Sequence, residues 1–121
     1  MSVTWIVANL PAVDVAQASV LYARVFDLDV RMDPGWVSNL GPADAPAVQL
    51  QTMTRDAGAP CNPVISIGVA APVDVDQVYE RVLAAGLEIV HPLTGEAWGV
   101  RRLFFRDPDG NVSNVVADAI E

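Results

Sequence analysis

The run Trp98-Gly99-Val100-Arg101-Arg102-Leu103-Phe104-Phe105-Arg106-Asp107-Pro108-Asp109-Gly110-Asn111 reads as a strand, a tight turn and the start of a second strand. Val100 to Arg106 is rich in aromatic and aliphatic side chains that suit a pleated surface. Asp107-Pro108-Asp109-Gly110 has proline second and glycine fourth, the pattern of a type I turn. Val112 to Ala117 then returns as the partner strand. Strand side chains alternate between faces, so Arg101 and Arg102 must point to opposite sides of the sheet. The same alternation groups Val112, Asn114 and Val116 on one face and Ser113, Val115 and Ala117 on the other.

Upstream of this hairpin, Val64 to Val69 reads as a strand and Asp74 as a helix N-cap. Val75, Val78, Tyr79 and Val82 form the stripe that helix would bury, and Gly86 supplies a left-handed residue after its end. Leu87 to Val90 is a further strand, ending at His91 before Pro92. The first half repeats this logic. Thr4 to Leu10 is a strand stopped by Pro11, Asp14 is an N-cap, and Ala18, Leu21, Tyr22, Val25 and Phe26 carry helical spacing. Val13-Asp14-Val15-Ala16-Gln17 is echoed by Val73-Asp74-Val75-Asp76-Gln77, and the same offset pairs Val30 with Val90 and Gly35 with Gly95. The chain therefore divides into two modules of about 3–54 and 63–118 within one domain spanning 1–121. The linker is about 55–62, which contains Asp56-Ala57-Gly58-Ala59-Pro60. Each module alone would be a small sheet with one helix and one bare face. Two of them curving around a shared concavity would create the expected ligand site.

Composition limits the function classes. With 121 residues, 52% of them apolar and 18% charged, the chain is one globular domain able to bury a core without disulfides. A net charge of −8 repels phosphate backbones, so nucleic acid is not an expected partner, whereas a cationic small molecule is mildly favoured. No window supplies the roughly 18 apolar residues of a membrane span, and no basic segment precedes the first strand as a secretory signal would require. Cys61 is the single cysteine, which fits a reducing cytoplasm.

The arginine-aromatic run closed by Asp-Pro-Asp-Gly-Asn resembles the C-terminal signature of the vicinal oxygen chelate superfamily, the glyoxalase/bleomycin-resistance/extradiol-dioxygenase group. Asn9-Leu10-Pro11-Ala12-Val13-Asp14 followed by Leu21-Tyr22 is similar to that superfamily's first strand and helix. Asp27 stands where glycine is common at the helix end, and aspartate tolerates the left-handed conformation better than most residues. The resemblance implies an α+β fold of paired βαβββ modules. These would form a cupped eight-stranded mixed sheet with helices on the outer face, commonly in a homodimer. It also implies metal ligands, His and Glu, on the first and last strands of each module. At those places this sequence has Asn114, the glutamines Gln49 and Gln51 in Val48-Gln49-Leu50-Gln51, and no histidine or carboxylate in Pro63-Val64-Ile65-Ser66 or Thr4-Trp5-Ile6-Val7-Ala8. Neutral amides alone hold a hard divalent ion poorly. No metal and no cofactor are expected.

The candidate ligand-binding residues are Trp36, Gln49, Gln51, His91, Trp98, Arg101, Arg102 and Asn114. Trp36 and Trp98 follow Gly35 and Gly95 and could stack on a planar or cationic ligand. Trp5 is expected in the core or at a dimer contact. One of Arg101 and Arg102 could bind a carboxylate or carbonyl, and Asn114 could hydrogen-bond a ligand or neighbouring backbone. His91 is either a general base, a ligand contact or a pocket-lining imidazole. Cys61 has no histidine beside it to make it a nucleophile. The expected function is metal-independent binding of a small molecule, as in the drug-sequestering bleomycin-resistance branch. The competing reading is a lyase- or dioxygenase-type enzyme with an atypical or absent metal site.

Overall fold

The structure is a computed structural model and describes residues 1–119. Ile120 and Glu121, the end of the expected domain span, lie outside the described residues. Among the described residues are eight strands and two helices: β1 Val3–Pro11, α1 Val15–Phe26, β2 Asp29–Met32, β3 Val37–Gly41, β4 Leu50–Met53, β5 Ile65–Val69, α2 Pro72–Ala84, β6 Glu88–Glu96, β7 Val100–Arg106 and β8 Val112–Asp118. The fold is α+β with mixed strand pairing, and the βαβββ order occurs twice. No helix among the described residues is long and apolar enough to cross a membrane.

The chain forms two compact units. The N-terminal unit is Val7–Asn62, and the C-terminal unit joins Met1–Ile6 to Pro63–Glu121. The N-terminal unit has the strand order β2-β3-β4-β1, with β4 parallel to β1 and the other pairs antiparallel. In the C-terminal unit the order is β6-β7-β8-β5, with β8 parallel to β5 and the start of β1 continuing the sheet. The segment 55–62 is an ordered loop. Asp56 is buried and accepts from Gly58 N–H at 2.9 Å, its own N–H donates to Asn62 Oδ1 at 2.8 Å, and Arg55 donates to the Asp56 and Ala59 carbonyls.

In the C-terminal unit α2 covers one sheet face. Val69, Val75, Leu103, Val115 and Ala117 are buried there, with Val78, Tyr79, Ile89, Leu93 and Phe105 against them. Each fully buried valine or leucine among them contributes about 1.5–3 kcal/mol by leaving water. The stripe read from the sequence is thus the buried one, and Gly86, at φ 72°, ends the helix as expected. The helix start differs from the expectation. Ala71 is the N-cap and Pro72 the first helical residue, while the Asp74 carboxylate accepts from the Ala71 N–H at 3.2 Å from inside the first turn. Proline lacks the N–H that is unpaired at this position and its φ is already helical, so it begins the helix upstream of Asp74.

Asp14 does cap α1, accepting from Gln17 N–H at 3.0 Å, and Asp27 ends it in the left-handed region at φ 55°. The buried line of α1 is Val15 and Ser19 with Tyr22 half-buried, and Leu21, Val25 and Phe26 are about 60% exposed. The small Ser19, one turn after Val15, lets that side of the helix approach the sheet, which rotates the bulkier Leu21 and Val25 away from it. The strand expected to stop before His91 runs on to Glu96. β6 is an edge strand, where proline is tolerated, and register shifts between Ile89 and Thr94 absorb the irregularity.

Candidate functional site

The C-terminal unit buries a row of side chains on the sheet face opposite α2. Pairing register aligns His91, Phe104, Asn114 and Ser66 across β6, β7, β8 and β5. All four are buried, and Phe104 has no exposed surface at all. Alternation decides this face. Leu103, Phe105, Val115 and Ala117 serve the helix side, so Arg102, Phe104, Asn114 and Val116 point the other way. The two arginines separate as expected. Arg101 lies on the helix side and donates to Asp76 of α2 at 2.6 and 3.0 Å, tying strand to helix. Arg102 joins the buried row.

Around Arg102 a compact polar and aromatic cluster forms. Its guanidinium carbon sits 4.9 Å from the Trp98 ring centre and 5.0 Å from that of Phe104, a cation held between two π faces. Its Nε lies 3.6 Å from Glu96 Oε1, and His91 Nε2 is 3.1 Å from the same oxygen. The side chains of His91, Glu96 and Arg102 are each less than a tenth exposed, and the His91 ring tilts against Phe104 at 5.1 Å. Trp98, in the β6–β7 turn, remains 50% exposed while Arg102 lies over its ring. Asn114 Nδ2 donates to Ser66 Oγ at 3.0 Å, whereas among the described residues Asn114 Oδ1 is buried without a hydrogen-bond partner. A buried polar atom is expected to find a partner in the protein, in water or in a ligand.

Two members of this face were not legible as such in the sequence. Glu96 reaches His91 only because β6 extends beyond Pro92. Trp5 lies over Gly68, whose missing Cβ would point to the same side as Ser66 and Asn114. It therefore forms part of this face, beside a cleft of about 240 Å³ bounded also by Val69, Val116 and Asp118. A tryptophan and a glycine sixty-odd positions apart carry no local signal of that contact.

The N-terminal unit builds a matching row from amides alone. Register aligns Asn9, Gln51 and Asn39 across β1, β4 and β3. Gln51 Nε2 donates to Asn9 Oδ1 at 2.7 Å, and Asn39 Nδ2 donates to Gln51 Oε1 at 3.1 Å and Gln49 Oε1 at 3.0 Å. Gln49 and Gln51 are therefore brought together, with Asn9 and Asn39 as partners the sequence reading missed. Trp36 shares this unit but not the row, and its carbonyl accepts from the Thr54 N–H at 2.9 Å.

In both units an amide on the last strand donates to an oxygen on the first: Gln51 to Asn9, and Asn114 to Ser66. These are the strands on which the resemblance expects metal ligands. Neutral amides and a hydroxyl, already bonded to one another, do not fit a divalent ion. Among the described residues no group of three or more His, Cys, Asp or Glu could hold one.

Solved structures share this architecture. A glyoxalase/bleomycin resistance protein/dioxygenase superfamily member from Vibrio splendidus 12B01 is 17% identical, with a TM-score of 0.66 over 93% of this chain and 97% of its own. Methylmalonyl-CoA epimerase from Mycobacterium tuberculosis is 17% identical, with a TM-score of 0.74 over 98% of this chain and 90% of its own. The Mn(II)-bound glyoxalase from Novosphingobium aromaticivorans is 21% identical, with a TM-score of 0.63 over 97% of this chain and 38% of its own. At these identities the likeness is one of fold. No curated protein matches the chain. The family model of the Glyoxalase/Bleomycin resistance protein/Dioxygenase superfamily matches residues 5–115, nearly the whole sequence, and the chain belongs to that superfamily.

Proposed function

We propose that this chain is a metal-independent small-molecule-binding protein that holds a planar or cationic ligand, such as an antibiotic, without turnover. One observation carries the reading. At the first- and last-strand positions the chain places Asn9 with Gln51 and Ser66 with Asn114, pairs of neutral groups that bond each other and offer a metal no charge. Trp98 supports it with a half-exposed ring over which Arg102 lies, and Asn114 Oδ1 with a buried acceptor unpaired among the described residues. The ligand-contacting residues are then Trp98, Arg102, His91 and Asn114, while Arg101 braces β7 against α2. The net charge of −8 favours a cationic ligand over an anionic one.

The lyase- or dioxygenase-type alternative would draw on His91 and Glu96, the one imidazole–carboxylate pair among the described residues. Elemental analysis of purified protein, with tryptophan fluorescence during a screen of cationic and planar compounds, separates the two. Stoichiometric zinc, nickel, manganese or iron would overturn the binding-protein reading. Quenching by a compound recovered unchanged supports it. We further propose a homodimer in a cytoplasmic setting. The apolar Leu21, Val25 and Phe26 of α1 and Val30 and Met32 of edge strand β2 are exposed and suited to a second copy. A monomer mass by light scattering at tens of micromolar would rule that assembly out.

A further inference from the structure

His91 is the only histidine of the chain, and the group it faces decides which of its nitrogens carries the proton. Glu96 Oε1 lies within hydrogen-bond distance of His91 Nε2, at 3.1 Å, and at ion-pair distance from Arg102 Nε, at 3.6 Å. A carboxylate oxygen on which two nitrogens converge is an acceptor, so Nε2 holds its hydrogen. In the neutral ring Nδ1 is then a bare lone pair, and among the described residues it makes no hydrogen bond.

The rest of the row sharpens the consequence. Asn114 Nδ2 is spent on Ser66 Oγ, and the atom left over, Oδ1, is again an acceptor. Phe104, between His91 and Asn114 in the register, offers neither donor nor acceptor. Among the described residues His91 Nδ1 and Asn114 Oδ1 are thus both acceptors without a hydrogen bond, whereas the donor Arg102 Nε faces Glu96 in an ion pair. A buried acceptor left unpaired, as Asn114 Oδ1 is among the described residues, is costly; a ligand N–H or O–H removes that cost there and pairs with the lone pair of His91 Nδ1, whereas a ligand carbonyl or ether adds an unpaired oxygen.

We infer that His91 is a specificity-determining residue, and that the face selects planar ligands carrying N–H or O–H donors over isosteres that carry acceptors only. This rests on the binding site proposed above in the C-terminal unit and adds to it the class of polar group the ligand must bring.

The single histidine makes the test direct. Long-range proton–nitrogen correlation on the full-length ¹⁵N-labelled protein reports the two ring nitrogens without assignment ambiguity. Nε2 is expected to carry its hydrogen with Nδ1 bare, and Glu96→Gln is expected to erase that preference. A hydrogen on Nδ1 in the unsubstituted chain, as the Nδ1–H tautomer or as the imidazolium, would overturn the inference, whatever the variant does. Benzamide and methyl benzoate then serve as probes of matched shape, one with N–H donors and one without. Benzamide is expected to shift the Nδ1 resonance and to bind about tenfold more tightly, the worth of one well-placed hydrogen bond. Equal affinities, or quenching of Trp98 by both probes with His91 unmoved, would overturn donor selection and leave the binding reading standing. No response at either residue to either probe would overturn both.

Discussion

The indole of Trp5 lies so close on Gly68 that a Cβ on that glycine would stand 2.0 Å from Cε2 of the ring. Glycine in a strand interior is otherwise unfavourable by roughly 0.5–1 kcal/mol relative to alanine, so this position trades strand stability for the seat of a tryptophan. Gly68→Ala is expected to destabilise the protein by about 1–3 kcal/mol, the usual cost of overpacking, and to alter tryptophan fluorescence. In a Trp5→Ala background the same change should be neutral or slightly stabilising. A double-mutant cycle on melting temperatures measures the difference, and additive effects would show that the contact is not what Gly68 serves.

A second test concerns Arg31 of β2. Its Nη1 donates to the Pro46 and Val48 carbonyls at 3.0 and 2.9 Å, and its Nη2 to Pro42 and Ala45 at 2.6 and 3.1 Å. Four backbone oxygens of one loop thus converge on a planar cation, and Gly41 leaves room for it. Arg31→Met is expected to cost about 1–3 kcal/mol and to raise amide exchange through residues 42–48, since the carbonyls lose a charged donor. Arg31→Lys should recover little, because an ammonium has three donors and no planar fork. Full recovery by lysine would mean that charge alone holds the loop.

Affinity and stability should part company at Asn114. Asn114→Leu removes the hydrogen bond to Ser66 but also the buried unpaired Oδ1, two effects of opposite sign and similar size. The melting temperature is expected to change little, while affinity for a ligand found in the fluorescence screen falls by about 1 kcal/mol. Trp98→Ala, at a half-exposed ring, should likewise weaken binding by about 1–2 kcal/mol with a small effect on folding. Lost stability with unchanged affinity in Asn114→Leu would assign that amide to the fold.

The β7–β8 turn gives a pH prediction. The Asp107 carboxylate accepts from the Asn111 backbone N–H at 2.9 Å, from its side-chain amide at 3.1 Å, and from the Asp109 N–H at 2.9 Å. These donors, the Asn111 backbone foremost, hold the carboxyl below its ordinary value of 3.8. A depressed folded value means that the turn's contribution is complete above the unfolded carboxylate range and is lost as pH falls through the folded value. Asp107→Asn should therefore lower the melting temperature at neutral pH and flatten its decline between about pH 5 and pH 2. An unchanged acid limb would show that the carboxylate's charge is irrelevant to the turn.

What the sequence carried was local or periodic. The hairpin Val100 to Ala117, the Asp107–Gly110 turn, the Asp14 cap, the left-handed Asp27 and Gly86, and the stripe of α2 all rest on interactions within a few residues, and each stands where expected. Local signals failed where two of them competed: Pro72 outranked Asp74 as the start of α2, and the apolar spacing of α1 did not reveal that Ser19, and not Leu21 or Val25, faces the sheet.

Chain-distant pairings belong to the tertiary structure alone. Strand alternation required Arg101 and Arg102 to diverge, but only the position of α2 decided that Arg101 meets Asp76 and that Arg102 is held between Trp98 and Phe104. Composition identified Asn114 and Gln51 as amides, while register determined that each would donate to the first strand of its own unit, at Ser66 and Asn9. The sequence by itself determined the elements and the chemistry of their side chains, because propensity and periodicity act over a turn or two of chain. Only the tertiary structure decided which of those groups satisfy one another and which are left for a ligand, because hydrogen-bond partners are assigned by strand register across the sheet.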